Sequence, residues 1–270
     1  MRQSLIRYEV EGVGSVEFAK TPPRFLNKFD GSSVGSSAIS YKAIGLHGEK
    51  NGGIKLEPRT ISAEVTIVGM DSAGKYSREK LVEIKNEIFR VINPLNSGKL
   101  VRVNQHSIYE IDCRVREIPA FTKTVGMYQA AKLDFYAPYP LWRSTTPRKY
   151  NIGNTSEVKI YNDLGIPAPI EISGTIPAHA SFTFKNLTSG TMIKTGQPFP
   201  FERKFRLNTA TCEIECSNIE GIMVPANFIF SFNSDVDMVF EIGENLLKLE
   251  STVSGVELSL TMQELYIGVD

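Results

Sequence analysis

The side chains of this 270-residue chain with most scope for chemistry are three histidines, two closely spaced aspartates and three cysteines. His47, His106 and His179 lie far apart, and none stands at the spacing of a metal site or beside a nucleophile it would deprotonate. They read as structural or solvated histidines. "NSDVDM" brings Asp235 close to Asp237, a pair able to hold calcium or magnesium, but the stretch lacks the glycine and the later bidentate glutamate of a calcium loop. It reads as a solvated turn. "TCEIECS" sets Cys212, Ile214 and Cys216 against Glu213 and Glu215 at strand period, so these cysteines are expected as small apolar core residues and not as metal ligands.

The remaining candidates are no stronger. "GSSVGSS" lacks the closing Lys-Ser or Lys-Thr of a phosphate loop and is not followed by a helical pattern. Paired carboxylates for glycoside hydrolysis need not be close along a chain, and nothing points to them here. Trp142, the only tryptophan, stands in "FYAPYPLW" with Phe135, Tyr136 and Tyr139. Such aromatics make sugar platforms, but the simpler reading is a cluster that packs a domain junction. Asn154 and Asn186 begin glycosylation-type patterns, which carry little weight without a secretion signal. No catalytic, cofactor-binding or metal-ligating residue is assigned.

Bulk properties narrow the partners. Thirty basic and thirty acidic residues leave no excess to neutralise phosphates or dock on anionic lipid, so neither sequence-specific nucleic-acid binding nor membrane insertion is expected. The first residues, "MRQSLIRYEVEGVG", break their apolar positions with Arg7, Glu9 and Glu11, and no stretch approaches the roughly 20 apolar residues of a membrane span. Synthesis and folding in a cytoplasm are expected, with the cysteines reduced.

Short strands and turns must position whatever site exists. "YEVEGVGSVEF" reads as a hairpin around Gly12 and Gly14, and "RTISAEVTIVG" puts Ile61, Ala63, Val65 and Ile67 on one face. The single helix is expected over about 77–92: Ser77 caps it, Glu79 sits in the first turn, Leu81, Ile84 and Ile88 repeat at helical spacing, and Asn93-Pro94 ends it. Residues 30–53, rich in Gly and Ser, read as a long mobile loop or pair of loops. A boundary falls in the proline-rich "YAPYPLWRSTTPRKY". Beyond it come strands in quick succession, among them "APIEISG", "CEIEC", "NFIFSF" and "VELSLTMQ", the density of an antiparallel β-sandwich. Pro167 and Pro169 remove two same-side N–H donors, so "LGIPAPIEISG" reads as an edge strand protected against pairing.

Taken in order, "GIKLEPRTISAEVTIVG", "REKLVEIKNEIFRVINPLNSGKLVRV", "YEIDCRVREIP", "LDFYAPYPLWRS", "NDLGIPAPIEISG", "FEIGENLLKLES" and the closing "LYIGVD" resemble the distal tail proteins of long-tailed, siphovirus-type phages, across nearly the whole chain. The resemblance implies a mainly β protein. Residues 1–140 would be an N-terminal ring-forming β-sandwich with one helix and a hairpin, and residues 141–270 a compact C-terminal galectin-like antiparallel β-sandwich without an arm or added sugar-binding module.

It also implies a structural role and no enzymatic one. Six copies would form a ring hub at the distal end of the tail, in a phage or prophage virion. The partners would be the chain itself as a homohexamer, the major tail tube protein, a tail-tip or baseplate protein and a receptor-binding protein. Ser36, Tyr41, His47, Lys50 and Asn51, in the Gly/Ser-rich segment, are the expected contacts between protomers or to the tube. The alternative is a carbohydrate-binding module for host-surface adhesion. Galectin-type sites need a stacked tryptophan, and residues 150–270 contain none.

Overall fold

The computed structural model describes residues 5–41, 50–71, 73–104, 107–123, 126–154, 157–226 and 228–269. The chain forms two compact units, Met1–Thr145 with Tyr266–Asp270, and Thr146–Leu265. Both are built on antiparallel strands, so the fold is mainly β and of sandwich type.

The first unit holds β1 (Leu5–Val10), β2 (Gly14–Phe18), β3 (Arg24–Asp30), β4 (Ser36–Tyr41), β5 (Lys50–Leu56) and β6 (Arg59–Val68). After these come α1 (Arg78–Val91), β7 (Ser97–Val103), β8 (Ile108–Val115), β9 (Thr122–Lys123), β10 (Tyr128–Ala137) and β11 (Trp142–Ser144). Its large sheet runs β2-β1-β7-β8-β10-β6-β3. The Ala19 N–H donates to Arg24 and its carbonyl accepts from Leu26, so the two edge strands meet and the sheet curls toward closure.

Period-2 alternation drives these strands. Ile61, Ala63, Val65 and Ile67 all point into the core, with Ser62, Glu64 and Thr66 on the other face. Helix α1 buries Leu81, Ile84, Ile88 and Val91 against the inner face. The Ser77 hydroxyl accepts the Lys80 N–H at 3.3 Å as its N-cap, and Ile92 ends it just before Asn93-Pro94.

The second unit holds β12 (Arg148–Gly153), β13 (Glu157–Asn162), β14 (Ala168–Ile176), β15 (Phe182–Asn186), β16 (Thr191–Lys194) and β17 (Arg203–Asn208). It continues with β18 (Glu213–Ser217), β19 (Met223–Pro225), β20 (Val239–Phe240), β21 (Gly243–Ser251) and β22 (Glu257–Met262); the short β23 (Leu265–Tyr266), where the chain re-enters the first unit, belongs to that unit's sheet and pairs with β11. One sheet runs β12-β22-β14-β17-β18-β19 and the other β13-β21-β15-β16. Ile172, Leu207, Leu258 and Leu260 from the first share a core with Ile160, Phe184, Leu247 and Leu249 from the second.

Four expectations change. Residues 30–53 are not simply loop: Ser36–Tyr41 and Lys50–Leu56 pair as a two-stranded ribbon. "NFIFSF" forms no regular strand; Ile229 and Phe230 are buried from an irregular segment while Phe228 and Phe232 are exposed. Cys212 is exposed at the turn before β18, with φ of 57°, and only Cys113 and Cys216 are core residues.

The fourth concerns the prolines. Strand β14 is central, not an edge: Ile170–Gly174 pair with β22 while Glu171–Ile176 pair with β17. Pro167 precedes the strand and Pro169 lies at its start, opposite Val239 of the two-residue β20 and before β22 and β17 join, so its missing N–H leaves those two ladders intact. The Pro169 carbonyl still accepts from Gln263 N–H at 3.2 Å, and the first free N–H, that of Ile170, donates to the Thr209 hydroxyl at 2.9 Å.

Candidate functional site

The ribbon is the part of the first unit that its own sheet does not explain. Ser36 faces Leu56 and Tyr41 faces Lys50, with one irregularity between Ile39 and Ser40. No third strand pairs with it among the described residues. Ser36, Ser37, Ala38 and Ile39 are exposed along one strand, and Ile54 is 73% exposed on the other. A lone two-stranded hairpin is marginally stable in water, so a ribbon that exposes Ile39 and Ile54 calls for a surface to lie on.

The root of the ribbon is fixed by contrast with its arms. Glu57 N–H donates to the Gly35 carbonyl at 2.9 Å, closing the base. Just before it, the Gly31 carbonyl accepts from the Trp142 indole at 2.9 Å, from the Arg59 guanidinium and from Val269 N–H at 3.4 Å. Arg59, 3% exposed, also donates to the carbonyls of Pro140 at 2.9 Å and Ile267 at 2.5 Å.

Around this knot, cations and rings alternate: Arg102 lies 4.7 Å from the Phe29 ring, Phe29 meets Trp142 edge-on at 6.1 Å, and Arg59 lies 5.9 Å from Trp142. Burial pulls the Arg59 pKa down, with the Asp30 charge opposing it. Asp30, whose hydroxyl partner Ser33 holds its carboxyl below the usual range, completes the root. Only glycine fits at 31, because an added Cβ would stand 2.4 Å from the Phe29 ring and 2.6 Å from the Val269 carbonyl.

The structure places Ser36 at the start of β4 and brings Tyr41 opposite Lys50 and Asn51 opposite Ser40 in the ribbon's register. His47 lies outside the described residues, as does His106. Sequence reading missed Gly31, Arg59, Arg102 and the true place of Trp142, which is a fully buried core residue and offers no exposed platform to a sugar. A signal existed: Arg59 shares the parity of Ile61, Ala63 and Val65, a charge in a core-facing position that must find buried acceptors.

Asp235 does not stand free in a turn. Its carboxylate accepts Met192 N–H at 2.8 Å and its own N–H donates to the Met192 carbonyl at 2.8 Å, while Ser234 and Ser231 bond Lys194. These side chains cap the open edge of β16. His179 is exposed, in a positive-φ turn.

Solved structures supply the comparison. SPP1 Dit, whose structure is described as a paradigm of the hub adsorption apparatus in phages infecting Gram-positive bacteria, superposes with a TM-score of 0.70 at 13% identity, over 98% of this chain and 100% of that one. The chain has the Dit fold. A chain of the phage p2 baseplate in its activated conformation with strontium matches at a TM-score of 0.50 and 10% identity, over 100% of both. No family model and no curated protein sequence matches. The Dit fold extends over both units, so it accounts for the helix-bearing first unit and the sandwich of the second alike.

Proposed function

We propose that this protein is a distal tail hub of a siphovirus-type phage or prophage, a non-enzymatic ring of six copies between the tail tube and the tail-tip or baseplate proteins. The likeness to SPP1 Dit over the full length of both chains carries this reading. The ribbon supports it from within the chain. Ring closure needs a heterologous interface, with different patches meeting on neighbouring copies, and a ribbon that exposes Ile39 and Ile54 from a hydrogen-bonded root suits one such patch. Ser36, Tyr41, His47, Lys50 and Asn51 are the proposed contacts. The first unit forms the ring, and the second presents its sandwich to tip and receptor-binding proteins.

The test is to replace Ser36–Leu56 with a short turn. Gly35 and Glu57 already face each other across a 2.9 Å hydrogen bond, so the truncation spares Gly31 and the root. It should leave a folded protein that no longer forms rings by negative-stain imaging. Normal rings from the truncated protein would remove the ribbon from the interface.

A further inference from the structure

The outer face of the large sheet, turned away from the core, carries most of its charges in pairs. Arg7 meets Glu9 at 2.5 Å, Lys99 meets Glu110 at 3.3 Å and Lys132 meets Asp134 at 3.0 Å. Arg143 meets Glu110 at 2.6 Å and Asp112 at 2.7 Å. Arg114 and Arg116 depart from the pattern. Both are exposed, neither forms an ion pair among the described residues, and both guanidinium groups lie over one ring, that of Tyr136, at 5.5 and 5.7 Å from its centroid.

The sheet explains how they come together. Arg114 and Arg116 alternate along one strand line, so they share a face, and Tyr136 is the cross-strand partner of Arg114. Asp134, joined to Arg116 through a backbone hydrogen bond of 2.9 Å, is engaged by the Ser62 hydroxyl at 2.5 Å and by Lys132, and acts on the Arg116 charge without forming an ion pair with it. Two cations held over one ring repel each other, and the ring quadrupole offsets only part of that. An anion bound at these guanidinium groups relieves it. Arg114 and Tyr136 also line a recess of about 1320 Å³ that continues past Asp112 to Glu9 and Glu11. Glu9, Glu11 and Asp112 outnumber Lys99 and Arg114 along its walls, which disfavours a phosphate backbone, whereas a protein loop can offer one carboxylate to the arginines and its other groups to the walls.

We propose that Arg114, Arg116 and Tyr136 form a clamp for a carboxylate side chain of a partner protein, with the neighbouring recess receiving the loop that carries it. Guanidinium forks suit carboxylates in bidentate geometry. The clamp stands on the outer face of the first unit and holds whether or not six copies form a ring.

Fluorescence anisotropy with a labelled Gly/Ser peptide carrying a single central glutamate tests it on the full chain. The wild-type protein should bind the peptide with an affinity that falls as salt rises, and should prefer it to the same peptide with glutamine and to duplex DNA. Arg114→Gln with Arg116→Gln should weaken binding by roughly tenfold or more, whereas Lys132→Gln, at a cation already paired, should change it by less than about twofold. Should the double Gln variant fail to fold, Arg114→Lys with Arg116→Lys keeps the charge, loses the forks and should bind at an intermediate level. Absence of wild-type binding, equal binding by the Gln or Lys pair, or tighter binding of DNA than of peptide would overturn the clamp.

Discussion

The Trp142 indole donates to the Gly31 carbonyl at 2.9 Å across 111 residues of sequence. That one bond joins the root of the ribbon to β11, and the same carbonyl accepts Val269 N–H, so three distant segments of the first unit share one acceptor. In the proposed ring a ribbon needs an anchored root, and these hydrogen bonds anchor it.

Trp142→Phe keeps most of the ring volume and removes the donor. It should lower the stability of the first unit by about 2–3 kcal/mol, the cost of a lost buried hydrogen bond and a small void. The measurement is the shift of the thermal unfolding transition. An unchanged transition would show that the Gly31 contact contributes nothing.

Gly31→Ala should be harsher, because its Cβ would meet backbone at 2.6 Å, which a flexible neighbour cannot relieve. A loss of about 3 kcal/mol or more is expected. In the proposed ring, the same variant should also impair assembly, since it displaces the root of the ribbon.

Thr209→Val tests the reading of β14 as a central strand. The Thr209 hydroxyl accepts the buried Ile170 N–H at 2.9 Å, just after the prolines. Replacing it with an isosteric methyl strands a buried donor at a cost of about 1–3 kcal/mol. Urea denaturation followed in the second unit measures it, and a change below about 0.5 kcal/mol would argue that the strand end is open to water.

The β framework was legible where one rule governed the chain. Alternation marked β6 and β22, and the helix showed its cap, its apolar stripe and its proline stop. Failures came where tertiary contacts decide. Pro167 and Pro169 looked like edge protection because the local rule counts missing N–H groups, yet β14 gains its two long partners, β17 and β22, only beyond them. Gly and Ser in residues 30–53 signalled a loop, while pairing across the segment makes a ribbon. The root was illegible because Gly31, Arg59, Trp142 and Val269 are remote in sequence. Arg59 alone carried a hint, in its core-facing parity.

Asp134 offers a pH test. Burial works against its ionised form, but the Ser62 hydroxyl at 2.5 Å and Lys132 outweigh this and hold its carboxyl below the usual range. A carboxyl with a depressed folded pKa stabilises above its unfolded value near 4, and that contribution fades as pH falls through the folded pKa. Ser62→Ala should raise the Asp134 pKa by NMR titration and make the melting temperature less sensitive to pH between about 2 and 5. A titration identical to wild type would rule out the hydroxyl as the cause.

The central claim is a ring of six copies. Light scattering during size exclusion, over a range of concentrations, tests it most directly. With a chain mass of 30.0 kDa, the predicted species is about 180 kDa and shows a central channel when imaged. A mass of 30.0 kDa at every concentration, unchanged by the tail tube and tail-tip proteins, would contradict it.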